Sequence, residues 1–373
     1  MHTDPEVAAP SMPTRPTALP VFADLRPQTV LSAMEAVDLP GDGRLLQLNS
    51  YENRVFRVML EETGAVATKV YRPGRWSDAQ ILEEHGFIAE LARAELPVLA
   101  PLSLQLRSDA PSGARVVGDR HTLLHWPVCA DDGLASEQTP DDASLRLAAS
   151  PWLGGRDPSV ETPQAFERLG RLIGRVHALG GRHAFEHRTA LTPERGMEAV
   201  DTLLALEVID PSLQAGWTSA ARRAMEAVQR AFDRAAGGDG LRTIRLHGDA
   251  HRGNLLERDE VLHLVDFDDA CTGPAMQDLW LFLDGQDGES RRRQLDALLR
   301  GYEDFADFDD AELRLIEPLR TLRLLRHSAW IALRWQDPAF SRAFPDFGSP
   351  NHWADQITML QEQTHRMDGN RGP

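Results

Sequence analysis

Two cysteines, Cys129 and Cys271, in 373 residues are too few for a secreted disulfide scaffold and fit a reducing compartment. Positive charge is short as well. The formal net charge is -17, and an acidic surface of that size repels both phosphate backbones and anionic membranes. Nucleic acid and membrane are therefore not expected as partners. A nucleotide pocket stays open, because a few local cations and a metal outweigh distant charge. No apolar run reaches the roughly 18 residues of a membrane span. The N-terminus, Met1-His2-Thr3-Asp4-Pro5-Glu6, lacks the basic and apolar regions of a signal peptide, so a cytoplasmic protein is expected. There is no internal repeat. What remains is an ordinary globular composition, 42% hydrophobic and 26% charged, long enough for two lobes.

The pattern along the chain changes character once. Residues 1–20 carry Pro5, Pro10, Pro13, Pro16 and Pro20 and read as a flexible tail. After a short helix at 29–37, the spacing predicts strands at 44–49, 54–60 and 65–71, with turns at 50–53 and 62–64. Ser77 and Gln80 form a capping box that opens a helix bearing Ile81, Phe87, Ile88 and Leu91 on one side. Short strands are expected near 102–106, 115–117 and 122–126. Residues 130–160, rich in Asp and Pro, read as a surface insertion. Thr162-Pro163 starts a helix that Gly180 and Gly181 end. Helical periodicity returns at 194–208, 213–236, 275–284, 290–304, 310–335 and 351–366, with Pro318 kinking the fifth or starting a new helix. The expected fold is α+β and two-lobed. A small antiparallel β-rich lobe with one main helix (21–126) precedes a larger, mostly helical lobe (127–373).

One strand-loop interruption in the helical half holds most of the chemistry. It reads His247-Gly248-Asp249-Ala250-His251-Arg252-Gly253-Asn254, followed by Val265-Asp266-Phe267-Asp268-Asp269. Phosphoryl transfer needs a carboxylate to receive or orient the acceptor hydroxyl, oxygen ligands to hold magnesium against the phosphates, and a rigid loop to place both. Kinase catalytic loops set four residues between the base Asp and a metal-binding Asn, and Asp249 and Asn254 keep that spacing. Asp266 is placed to supply the main metal carboxylate. Alone, each Asp would be surface solvation; the joint pattern argues against that. The rival reading is a metal-dependent hydrolase, with His247, Asp249 and His251 as zinc ligands. Asn254, a poor zinc ligand, has no part in it.

The second signal is Val66-Ala67-Thr68-Lys69 on the third expected strand, where kinases pair a lysine with the α/β-phosphates. Lys69 is the only lysine between residues 21 and 100. Glu83 or Glu84 on the following helix would hold it, and Glu84 is preferred because it borders the apolar stripe. The adenine is expected near Ala67 and the Trp126–Val128 backbone. No G-x-G-x-x-G is present. Ser50-Tyr51-Glu52-Asn53 occupies that turn, and by itself it reads as a hairpin turn whose amides and Ser50 hydroxyl reach phosphate. Asp278 either braces the catalytic loop or acts as an N-terminal helix acid, and His177 reads as a core histidine.

These motifs resemble the aminoglycoside phosphotransferase/choline kinase group of protein-kinase-like folds, and more closely the bacterial stress response kinase A family. The closer likeness rests on Leu48–Val55, Tyr71-Arg72-Pro73, Ile81–His85, Gly273-Pro274, Gln277–Trp280, Ile316–Arg320 and Asp337–Phe340, which together span nearly the whole chain. The resemblance implies a cytoplasmic serine/threonine protein kinase of stress protection, using ATP and Mg2+. It implies Asp249 as proton acceptor, Asn254 and Asp266 as magnesium ligands, and Ser50 in contact with ATP. A small-molecule kinase of the aminoglycoside, choline or homoserine type would share each of these residues and differ in its acceptor. A monomer is expected. The chain departs from the family at Pro127–Leu153, which is longer than the pattern before Gly154-Gly155-Arg156.

Overall fold

The computed structural model describes Phe22 and residues 25–62, 64–127, 144–238 and 240–369. The expected tail at 1–20 and Cys129 lie outside the described residues. The chain begins with α1 (Pro27–Glu35), then β1 (Gly41–Gln47), β2 (Arg54–Leu60) and β3 (Ala65–Val70). Helix α2 (Asp78–Arg93), β4 (Arg115–Val117), β5 (Leu123–Pro127), β6 (Ser144–Pro151) and α3 (Pro163–Gly180) follow. Next come α4 (Pro193–Ala205) and α5 (Gln214–Ala236). The chain returns to strand with β7 (Ile244–Leu246), β8 (Leu255–Arg258), β9 (Val261–Leu264) and β10 (Cys271–Gly273). Helices α6 (Gln277–Trp280), α7 (Gly288–Tyr302), α8 (Ile316–Leu333), α9 (Pro338–Ala343) and α10 (Pro350–Gly369) complete it. The expected α+β class is borne out. No helix among the described residues is long and apolar enough to cross a membrane.

The elements gather into two compact units. One comprises Phe22–Leu191 with Arg242–Asp309; the other comprises Thr192–Leu241 and the chain from Asp310 onward. In the first, six antiparallel strands form a sheet of order β1-β2-β3-β6-β5-β4. Val66, Thr68 and Val70 of β3 are buried, and strand alternation puts Ala67 and Lys69 on the opposite face. Val58, Val66, Val70, Leu124 and Leu147 join Val30, Ala33 and Met34 of α1 in one apolar core. Helix α3 packs closely on α7. A Cβ on Gly170 would lie 2.0 Å from the Leu298 carbonyl oxygen, so only glycine fits that approach. In the second unit, Trp217 of α5 meets Trp353 of α10 edge-on at 5.9 Å, and its indole donates to Gln356 Oε1 at 2.9 Å.

Two expectations need correction. Residues 102–106 form no strand; Leu102 and Leu104 donate singly to Ala149 and His121 carbonyls. Residues 144–151 belong to no surface insertion: they form β6, which pairs with β3 and β5 in mid-sheet. Of the backbone expected beside the adenine, Trp126 and Pro127 belong to β5, which pairs antiparallel with β6, and Val128 lies outside the described residues; the chain leaves the sheet after Pro151. Ser150, not Trp126, is the cross-strand partner of Ala67. At Pro318, the second of the two expected outcomes is found: a new helix starts there. Asp310–Leu315 is a 3-10 turn, and Pro318 sits in the first turn of α8, where its missing N–H has no intrahelical partner to lose.

Candidate active site

Lys69 Nζ lies 2.8 Å from Asp268 Oδ1, 3.4 Å from Asp266 Oδ1 and 3.5 Å from Glu84 Oε1. Glu84 comes from α2, whose Ser77 cap and Gln80 reciprocate as the sequence predicts. The neighbouring glutamates divide two tasks. Glu84 is buried and faces Lys69, while Glu83 accepts the backbone N–H groups of Glu186, His187 and Arg188. Burial alone would lower the Lys69 pKa, but the carboxylates of Asp268 and Glu84 hold it well above its ordinary value. Burial raises the Glu84 pKa. Asp268 is held well below the carboxylate range, because Lys69 and Arg75 outweigh its desolvation. Lys69 is the only lysine in the chain, where the other basic side chains are arginine. Lys69 thus keeps a compact, rotatable ammonium at the one place where a point charge meets several oxygens.

The His247–Asn254 segment is fixed mainly through its backbone. Asp278 accepts the N–H groups of His247 (2.7 Å) and Gly248 (2.8 Å) through its two oxygens. It also meets His177 Nε2 at 3.1 Å, and His177 Nδ1 meets Tyr302. Asp278 therefore braces the loop, and His177 is a core histidine with both nitrogens engaged. Gln277 adds a bond to the Gly248 carbonyl. Gly248 has φ +88, and a Cβ there would lie 2.0 Å from Asp269 O. His247 Nε2 contacts the Val265 carbonyl (2.8 Å), and its Nδ1 accepts from the Asp249 N–H (3.3 Å). With both ring nitrogens occupied by backbone, His247 is no zinc ligand, which removes one leg of the hydrolase reading.

Asn254 Nδ2 donates to the Asp249 carbonyl at 2.9 Å, so the amide oxygen is the atom that could hold a cation. The Val265 N–H donates to Asn254 O at 3.0 Å, so Asn254 and the residue before Asp266 are tied directly. Asp266 has φ 62 and ψ 66, a left-handed conformation that costs a non-glycine residue about 1–2 kcal/mol. Its neighbours enforce it: Val265 is bonded on both sides, and Phe267 is buried against His247 and Phe87. The result is an Asp266 side chain 58% exposed beside a buried framework. One carboxylate and one amide oxygen, held by backbone bonds, fit a hard divalent cation such as magnesium. Asp249 points elsewhere, with Oδ2 3.3 Å from His251 Nε2.

Ser50 is placed in its turn with Oγ donating to Asn53 O at 2.8 Å. The sequence reading missed the arginines around this site. Arg75 reaches Glu52, Asp268 and Asp269. Arg188, fully buried, donates to the carbonyls of Asp268 and Ala270, lies 3.7 Å from Glu84 and stacks on Trp76. Their partners are tens to hundreds of residues away in sequence, so no local motif marks them.

Residues 44–316 match the phosphotransferase enzyme family, and the chain belongs to that family. It is a kinase. It is 35% identical over 343 residues to stress response kinase A of Escherichia coli (strain K12), covering 92% of this chain and 93% of that one. It is 36% identical to the serine/threonine protein kinase RdoA of Salmonella typhimurium, covering 92% and 94%. Among solved structures, an amicoumacin kinase in complex with AMP-PNP, Ca2+ and its ligand shares the fold with a TM-score of 0.65 at 20% identity, over 94% of this chain and 96% of that one. A microcompartment-associated aminopropanol kinase does so at 0.61 and 18%, over 92% and 97%.

Proposed function

We propose that this kinase transfers the γ-phosphate of ATP, as its magnesium complex, to serine or threonine hydroxyls of a protein in a cytoplasmic stress response. The observation that carries the transfer is Lys69, held at once by Glu84 of α2 and within 3.4 Å of Asp266. The relatives at 35–36% identity, named as stress response and serine/threonine kinases, support the acceptor class. The adenine would lie on the Ala67 face, against the backbone that follows β6. Lys69 neutralises phosphate charge, and Ser50 with the 50–53 amides covers the phosphates. Asn254 and Asp266 would hold magnesium, which supplies charge neutralisation of the phosphate oxygens. Asp249 orients the acceptor hydroxyl and takes its proton.

A small-molecule hydroxyl kinase is the second reading, favoured by the shared fold of the amicoumacin and aminopropanol kinases. The test is transfer from γ-labelled ATP with magnesium, using wild type, Asp249→Asn and Asp266→Ala, with a generic protein acceptor and autophosphorylation both followed. Label in protein that vanishes in both variants supports the protein-kinase reading. Retained ATP binding with no protein label assigns the chain to small-molecule acceptors. Unchanged transfer in Asp266→Ala would overturn the site assignment.

A further inference from the structure

We infer that Arg75 is a positioning residue that couples the Ser50–Asn53 loop to the Asp268–Asp269 turn, so that the phosphate side and the metal side of the site are set together. The inference rests on the proposed reading of that site. Arg75 Nη1 lies 3.2 Å from Glu52 Oε2 and 3.1 Å from Asp268 Oδ2, while Nη2 bonds Asp269 Oδ1 at 2.6 Å. The side chain is only 10% exposed. Asp268 passes the contact on to Lys69 at 2.8 Å, and Lys69 to Glu84. A chain of alternating charges, Glu52–Arg75–Asp268–Lys69–Glu84, therefore runs from the loop to α2.

The loop's own composition makes such a tie necessary. Ser50-Tyr51-Glu52-Asn53 has no glycine to wrap its backbone round a phosphate, so its course is set from outside. Arg72 holds its backbone, donating to Glu52 O at 2.9 Å and Tyr51 O at 3.1 Å, and the Arg72 N–H donates to Asn53 Oδ1. The loop's one acidic side chain, Glu52, is shared between Arg72 Nε at 3.3 Å and Arg75 Nη1 at 3.2 Å, and of the two only Arg75 carries the contact on to Asp268 and Asp269. A planar guanidinium, with donors diverging from one carbon in a fixed fork, holds three carboxylates in set directions, which the rotatable ammonium of a lysine does not impose. The position also has a cost that a merely structural residue would avoid. The fixed positive charge that Arg75 places on Asp268, two residues along the chain from Asp266, opposes a cation bound at Asp266.

That cost sets the sign of the test. Binding of a non-hydrolysable ATP analogue is measured by calorimetry on the full chain, with magnesium varied. In Arg75→Ala, analogue affinity at saturating magnesium falls about tenfold, the size of coupling expected for residues in one ionic network. The half-saturating magnesium concentration does not rise, because a repulsive charge has gone. Affinity within twofold of wild type, or both constants weakening together, overturns the inference. Should Arg75→Ala fail to fold, Glu52→Gln and Asp269→Asn carry the test. Both act through Arg75, so the double variant loses less than the product of the single losses, and independent multiplication overturns the coupling. Asp266→Ala is measured alongside. If it removes the magnesium dependence while the Arg75 variants match wild type, only the inference fails; if it leaves that dependence intact, the reading of the site fails.

Discussion

The His247–Asn254 loop is tied down by hydrogen bonds aimed at its backbone, whereas the Ser50–Asn53 loop is tied down by arginines that bind its carbonyls and its one carboxylate. In the first, Asp278, Gln277 and His247 engage the amides and carbonyls of Gly248, Asp249 and Val265 at fixed angles. Such bonds locate atoms to within tenths of an ångström, which the roles proposed for Asp249, Asn254 and Asp266 require. In the second, the Glu52 carboxylate is balanced by Arg72 and Arg75, and these pairs reorganise when other charges enter. On the proposed reading, in which this loop covers the phosphates of ATP, the second arrangement lets it adjust to a polyanion. The comparison therefore separates a framework that stays from a cover that responds.

The largest effect that sharpens it is on chemistry. Asp249→Asn keeps the backbone amide that His247 Nδ1 accepts and removes only the side-chain base. Turnover is expected to fall by about 10²–10⁴. Unfolding by urea should be unchanged within about 0.5 kcal/mol. A comparable loss of stability would mean that the Asp249 carboxylate belongs to the framework. Asp278→Ala attacks the framework itself. It leaves two backbone N–H groups and His177 without their buried acceptor, and a loss of about 3 kcal/mol in urea unfolding is expected together with lost turnover. Retained activity in a stable Asp278→Ala protein would show that the loop does not depend on these bonds.

How much of this was legible in the sequence follows the same division. The interval between Asp249 and Asn254, and Asp266 on a strand end, are local patterns, and the structure ties those segments together. Val66-Ala67-Thr68-Lys69 on the third expected strand marked Lys69, and the apolar stripe of α2 singled out Glu84 over Glu83. Strand β6 was hidden because Ser-Leu-Arg-Leu-Ala-Ala-Ser follows an Asp- and Pro-rich stretch and offers only two large apolar residues. Its pairing with β3 and β5 decides it, and pairing is not a local property. Arg75 and Arg188 were invisible for the same reason: their partners, Asp268, Asp269 and Ala270, are brought to them only by the fold.

Acid is a lever that reaches the cover side first. His85 on α2 is buried between the Tyr71 hydroxyl and Thr122 Oγ1, each at 2.8 Å. Burial, with Lys69 and Arg188 nearby, lowers its pKa to about 3. The unfolded chain takes up a proton near pH 6.5 that the folded chain refuses. Stability from this group is therefore complete above about pH 6.5 and is lost as pH falls toward 3, by up to about 1.4 kcal/mol per pH unit. Urea unfolding at pH 7, 6 and 5 should show a shallower slope in His85→Gln than in wild type. Because His125 and His352 also have lowered values and stay in both proteins, the difference reads His85 alone. Equal slopes would place the acid sensitivity elsewhere.

The smallest effect tests whether the two sides are mechanically separate. Ser77 Oγ accepts the Gln80 N–H at 3.3 Å, and Gln80 Oε1 accepts the Ser77 N–H at 2.9 Å. Gln80 Nε2 also donates to His187 O, so the first turn of α2 is joined to the loop whose amides Glu83 binds. Ser77→Ala removes one bond of this set and should cost about 1 kcal/mol. Hydrogen exchange of the first-turn amides of α2 should then quicken about fivefold. The amides of Gly248 and Asp249 should keep wild-type rates, because Asp278 and His247 hold them without help from α2. Faster exchange at Gly248 as well would mean that the cap reaches the framework, and that one cooperative unit rather than two carries the site.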